Sequence, residues 1–109
     1  MNQRLCAVSD IEEDGSIAVR ATINGEPVQL MLIRKDGLVH AYKNICPHIG
    51  APLDFTPGQF LNLERNFILC STHGALFQIE DGACVSGPCQ GQSLEAVPSK
   101  ISDDSVWID

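Results

Sequence analysis

The sequence predicts an all-β domain, an antiparallel β sandwich carrying a small loop-rich subdomain. Three observations lead there. Apolar residues recur at the two-residue period of strands over most of the 109-residue chain. Turn-forming residues arrive roughly every eight to twelve positions. No stretch holds the helical period for an ordinary helix length. The length suits one unit spanning residues 1–109. An apolar content of 44% against 19% charged residues is enough to build a small core and speaks against disorder.

The elements follow in order. A strand is expected over Leu5 to Val8. Ser16 to Ile23 and Pro27 to Ile33 flank Asn24-Gly25, a pair suited to a tight turn with positive φ at both centres, so they read as a hairpin. Arg34 to Gly37 turns the chain again, and Leu38 to Tyr42 continues the meander. From Asn44 to about Gly91 the texture changes. Pro47, Pro52, Pro57 and Pro88 punctuate this region, and its strand-like runs are short: Phe67 to Leu69, Ala75 to Ile79 and Ala83 to Val85. Turns are expected around Cys70 to Gly74 and at Asp81-Gly82. Beyond Gly91, strands are expected at Leu94 to Val97 and Val106 to Ile108, joined across Ser102 to Ser105, with this terminal hairpin rejoining the first half. Residues 1–43 plus 92–109 would then be a β scaffold and 44–91 an inserted excursion, where function should reside.

Fourteen acidic and seven basic residues give a net charge of −7. That is the wrong sign for nucleic acid or an anionic membrane surface, and a basic protein partner fits better. No apolar run approaches the roughly 18 residues that span a bilayer, and the first ten residues lack a basic stretch followed by an apolar core. A cytoplasmic protein with no membrane partner is therefore expected. Five cysteines are many for that compartment, and an odd number cannot all pair, so metal binding is the better first reading.

Two short ligand pairs stand out: Cys46-Pro47-His48 and Cys70-Ser71-Thr72-His73. Each offers one thiolate and one imidazole, and Gly50 and Gly74 follow the histidines closely enough to let each loop turn tightly. Two thiolates and two imidazoles suit either tetrahedral zinc or an iron-sulfur centre of mixed ligation. Zinc fingers usually draw both cysteines from one knuckle. Here each loop supplies one of each type, which suits two metal atoms side by side, with Cys46 and Cys70 on one iron and His48 and His73 on its neighbour. The best zinc set would be Cys70, His73, Cys84 and Cys89, and it leaves Cys46 and His48 unexplained. The remaining candidates have plainer readings. Cys6, Cys84 and Cys89 suit core positions, with a redox-sensitive pair as the alternative for the last two. His40 suits a sheet face, Phe67, Phe77 and Trp107 suit packing, and Glu12-Glu13-Asp14 suits a solvated turn.

The segments CPHIGAPL and CSTHGALF resemble the Rieske family of [2Fe-2S] proteins, whose signature is Cys-x-His in one loop and Cys-x-x-His in a second. Gly87-Pro88 falls where that family has a proline-containing loop over its cluster. The resemblance implies a Rieske-like sandwich, a [2Fe-2S] cofactor, and Cys46, His48, Cys70 and His73 as its ligands. The short chain looks most like a free-standing Rieske-type ferredoxin, which would pass single electrons from an NAD(P)H-dependent reductase to an oxygenase, both docking at the cluster tip. Residues 46–53 and 71–76 carry no charged side chain, so an apolar docking tip within an acidic surround is expected.

Departures from the family pattern refine this expectation. Ala51 and Thr72 stand where respiratory members carry an added, cross-linked cysteine pair. Ala75 replaces a serine that donates towards a bridging sulfide in high-potential members. A potential towards the low end of the roughly −150 to +300 mV Rieske range follows. The 21 residues between His48 and Cys70 exceed the common family spacing, with the excess placed near Thr56 to Asn66. No nucleophile-base pair, phosphate-cradling glycine loop or paired carboxylates appears, so catalysis by the chain alone is not expected. The competing readings are a Rieske-like small subunit of a larger oxidoreductase, such as an assimilatory nitrite reductase, and a zinc-stabilised interaction module.

Overall fold

The computed structural model describes residues 3–45, 53, 60–70, 74–87 and 89–108. Among these residues there are nine strands: β1 (Gln3–Ala7), β2 (Gly15–Ile23), β3 (Glu26–Lys35), β4 (Leu38–Lys43), β5 (Phe67–Cys70), β6 (Ala75–Gln78), β7 (Cys84–Ser86), β8 (Ser99–Ser102) and β9 (Ser105–Ile108). One 3-10 turn, Val8–Asp10, is the sole helical element described, and no described helix is long and apolar enough to cross a membrane. The strands form three antiparallel three-stranded sheets in the orders β1-β9-β8, β2-β3-β4 and β5-β6-β7.

The layering is written into β3. Its run Leu30-Met31-Leu32-Ile33 is fully buried on four consecutive residues, as a strand covered on both faces must be. Successive side chains point to opposite sides. Leu32 packs with Cys6, Ile11, Ala41 and Val106, and Leu30 with Ala21 and Ile108, on the side of β1 and β9. Met31 and Ile33 pack with Ile68, Phe77 and Ile79, on the side of β5 and β6. The central sheet is thus shared between two cores. The hairpin turns are the expected kind: Asn24 and Gly25 both have positive φ, as do Asp36 and Gly37.

The C-terminal region differs from expectation. Leu94 to Val97 is not a strand but a segment held to β4 by one bridge, Tyr42 to Ala96, with Lys43 N–H donating to Glu95 and Val97 N–H to Ala41. Pro98 has no N–H to extend that ladder, so regular pairing restarts after it as β8. Three of the four β8 residues are exposed, which removes the apolar alternation that would have announced the strand. The terminal hairpin does rejoin the first half, with β9 paired to β1.

Tyr42 ties two sheets together. It is 2% exposed, and its hydroxyl donates to Ile79 O at 2.5 Å, linking β4 to the end of β6. A side chain on Gly82 would be driven against the ring, since an added Cβ would lie 2.9 Å from Tyr42 Cε1. Burial, with Asp81 and Glu80 adding to it, pushes the phenol up to about 12. Above about pH 10 the unfolded chain releases this proton while the folded chain retains it. Stability is therefore unaffected by this group below pH 10 and falls as pH rises from there to about 12. Because the chain has one tyrosine, tyrosinate absorbance reads the group directly. The expected midpoint is near 12 in the native protein and near 10 in denaturant. A native midpoint near 10 would contradict the burial argument.

Candidate metal centre

Cys70 is the last residue of β5 and pairs with Ala75, the first of β6. Between them the chain reverses, with Gly74 N–H donating to Cys70 O at 2.8 Å and Gly74 at φ +70°. Along β5 the inward residues are Ile68 and Cys70, and along β6 they are Ala75 and Phe77, so the period of two delivers the thiol to the core side. Cys70 is fully buried, in one cluster with Ala75, Phe77 and Cys89. Over the same turn lies Gly87, at φ +96°, where an added Cβ would come within 2.8 Å of Ala75 Cα. Only glycine permits this approach between the strand after Ala83 and the Cys70–Ala75 turn.

The other motif is framed at its two ends. Asn44 N–H donates to Gln29 O at 2.9 Å, one residue past the end of β4, and Ile45 N–H donates to Lys43 O at 2.8 Å. The Asn44 carboxamide then accepts the N–H of Leu53 at 2.8 Å. Leu53 is fully buried in the same cluster as Cys70. The segment beginning after Asn44 and the turn beginning at Cys70 are therefore anchored on one core.

Of the four expected ligands, Cys70 is placed as described; Cys46, His48 and His73 lie outside the described residues, as does Pro88. Among the described residues, no three His, Cys, Asp or Glu side chains are close enough to hold a metal ion. Cys70, Cys84 and Cys89 are thus not gathered as the zinc set would require. Cys84 is half-buried with its thiol donating to Ser86 O at 3.3 Å, and Cys89 is buried. Cys6 is buried between β1 and its neighbours, where burial and then Asp10, opposed by Arg4, raise the thiol pKa and keep it protonated. His40 sits half-buried in β4 opposite Ile33.

Two expectations are revised. Leu53 and Ala75, read as part of an exposed apolar tip, are core residues. Among the described residues, the exposed large apolar side chains beside this region are Ile45 and Val85. In the longer inter-motif segment, Asn62 organises a turn: its carboxamide accepts N–H groups of Asn66 and Phe67 and donates to Asn66 Oδ1. Leu63 stands 99% exposed at its tip. Sequence reasoning missed Asn44 and the packing role of Gly87. For Asn44 the one available signal was a polar residue at the end of an apolar strand.

A family profile described as Rieske [2Fe-2S] domain matches residues 1–100. Apoptosis-inducing factor 3 of Homo sapiens is 34% identical over 80 residues, covering 73% of this chain and 12% of that protein. The chain therefore spans about an eighth of that relative's length. The ferredoxin component of the alkene monooxygenase system of Xanthobacter autotrophicus is 30% identical over 104 residues, 95% of this chain and 77% of that one. Among solved structures, a ferredoxin of Sphingomonas yanoikuyae B1 superposes with a TM-score of 0.77 at 30% identity, covering 100% of this chain and 98% of the other.

Proposed function

The chain belongs to the family of Rieske [2Fe-2S] domains, and on that premise we propose that it is a one-electron carrier, a ferredoxin taking electrons from an NAD(P)H-dependent reductase and passing them to an oxygenase. The observation that carries this reading is that Leu53, five residues after His48, and Cys70, which opens the second motif, lie in one packed cluster. Cys46 and Cys70 would supply the two thiolates and His48 and His73 the two imidazoles. When bound, a Rieske-type [2Fe-2S] cluster supplies a centre that gains and loses one electron.

The residues present fit that group. Cys70 offers a thiol sulfur from a dry apolar wall, the setting in which sulfur ligation is protected from solvent. Ala75 offers no hydroxyl towards the site, in keeping with a low potential. Gly87 lets its own backbone approach Ala75, the residue that pairs with Cys70. The net charge of −7 favours approach of a basic partner, and exposed Ile45 and Val85 provide apolar contact beside the motifs. Residues 44–91 are on this reading a cluster-binding subdomain within the β scaffold, and the carrier works in the cytoplasm, which cell fractionation checks.

The test is electron paramagnetic resonance of the anaerobic, dithionite-reduced protein with iron, zinc and sulfide analysis. The expected result is the rhombic signal of a Rieske centre with about two iron and two sulfide per chain. A colourless, silent protein with about one zinc per chain would replace the proposal with a structural zinc module. A second reading is favoured by the first relative, of which the chain covers 12%: a Rieske unit serving as part of a larger protein assembly. Stable co-purification with a large subunit would select it over a shuttling carrier.

A further inference from the structure

We propose that Asn44 is the positioning residue of the first ligand loop, its buried carboxamide tying together the two ends of the segment that carries Cys46 and His48. The inference rests on the reading of those two residues as cluster ligands. Asn44 and Ser105 are the two buried polar residues among those described, at 4% and 8% exposure. A buried amide is retained where its hydrogen bonds are made. Asn44 makes them in two directions. Its N–H continues the β3–β4 ladder by donating to Gln29 O, which fixes the residue to the central sheet. Its Oδ1 accepts from Leu53 N–H at 2.8 Å.

Leu53 explains why this bond matters. Its side chain is fully buried in the core that also holds Cys70, so its N–H is a donor out of reach of water. Residues 45–52, eight in number, lie between the two partners. Closing a loop costs chain entropy, and a single buried bond across its base holds it closed between one sheet and one core. The side chain is also the right length and charge. A serine hydroxyl stops short of the distance the carboxamide spans, and an aspartate supplies an acceptor at the same reach but adds a buried charge that favours its protonated form. The consequence is that the spacing between the first ligand pair and Cys70 is set by Asn44 acting through Leu53, with no contact to the metal required.

The test uses the full chain loaded with its cluster and compares Asn44→Ala, Asn44→Ser and Asn44→Asp with Ser105→Ala, which removes a buried hydroxyl that accepts from Arg4 Nε at 3.0 Å in the β1-β9-β8 sheet. Three quantities are read: hydrogen exchange at Leu53, iron release to a chelator, and the paramagnetic line positions. Asn44→Ala is expected to lose Leu53 protection and release iron faster, each roughly tenfold, with shifted lines. Asn44→Ser should do the same and carries the test if the alanine variant does not fold. Asn44→Asp should retain Leu53 protection, and Ser105→Ala should change neither exchange at Leu53 nor iron release. Unchanged Leu53 exchange in Asn44→Ala and Asn44→Ser overturns the tie. Lost protection with wild-type release and lines overturns the positioning role. Failure of the wild-type chain to take up iron would instead sink the ligand reading, while Leu53 exchange would still decide the tie.

Discussion

Cys70→Ser is expected to yield a folded chain that holds no cluster, its iron falling from about two per chain to a trace. Serine is nearly the size of cysteine, so the β5–β6 hairpin and its packing survive. The hydroxyl, however, is a hard and weakly acidic donor where a soft thiolate is required. Cys89→Ser supplies the control, because Cys89 is as fully buried as Cys70 and belongs to the same core cluster. Both substitutions place a hydroxyl in an apolar setting, at a cost on the order of 1–3 kcal/mol where it finds no partner. Only Cys70→Ser should also bleach the protein. The comparison separates ligation from burial, and it separates the two metal readings as well: the zinc set of Cys70, His73, Cys84 and Cys89 demands that Cys89→Ser lose metal. Wild-type iron content in Cys70→Ser would remove Cys70 from the ligand set.

Much of this architecture is legible because it is local. The period of two in the strands, the Asn24-Gly25 and Asp36-Gly37 turns, and the uninterrupted Leu30 to Ile33 run each report on neighbours along the chain. The two Cys/His pairs are legible for a different reason: two cysteines and two histidines paired at these short spacings are improbable by accident. What escaped depends on distance along the chain. β8 was hidden by its exposure, and its start is set by Pro98 rather than by any apolar pattern. Leu53 and Ala75 looked like tip residues because their neighbours in sequence are expected ligands or small. Whether they face outward is decided by contacts with Phe60, Phe77 and Gly87, which no spacing rule encodes. The Asn44–Leu53 bond belongs to the same class, since a carboxamide in sequence does not say which N–H it will find.

Phe77→Ala is expected to cost about 3–5 kcal/mol of stability. Phe77 is fully buried at the centre of β6, flanked in register by Ile68 on β5 and Cys84 on β7. Its ring meets Met31 and Ile33 from the central sheet in one cluster, so truncation opens a cavity between two sheets rather than at an edge. A domain of this size holds roughly 5–15 kcal/mol in all, which makes the loss about a fifth of the total at the least. Ile101, 43% exposed in β8, gives the contrast: its alanine variant should stay within about 0.5 kcal/mol of the parent. Urea unfolding measures both, and a loss below about 1 kcal/mol for Phe77→Ala would mean that this core does not hold β6 to the central sheet. The same cluster contains Cys70 and Leu53, so the substitution also loosens the floor on which these two residues pack. A group that binds only the folded chain stabilises it by mass action, and the iron-loaded variant should accordingly unfold at higher urea than the iron-free one. The loosened floor should narrow that gap relative to the parent protein, which is the signature of a core that supports the metal centre as well as the fold.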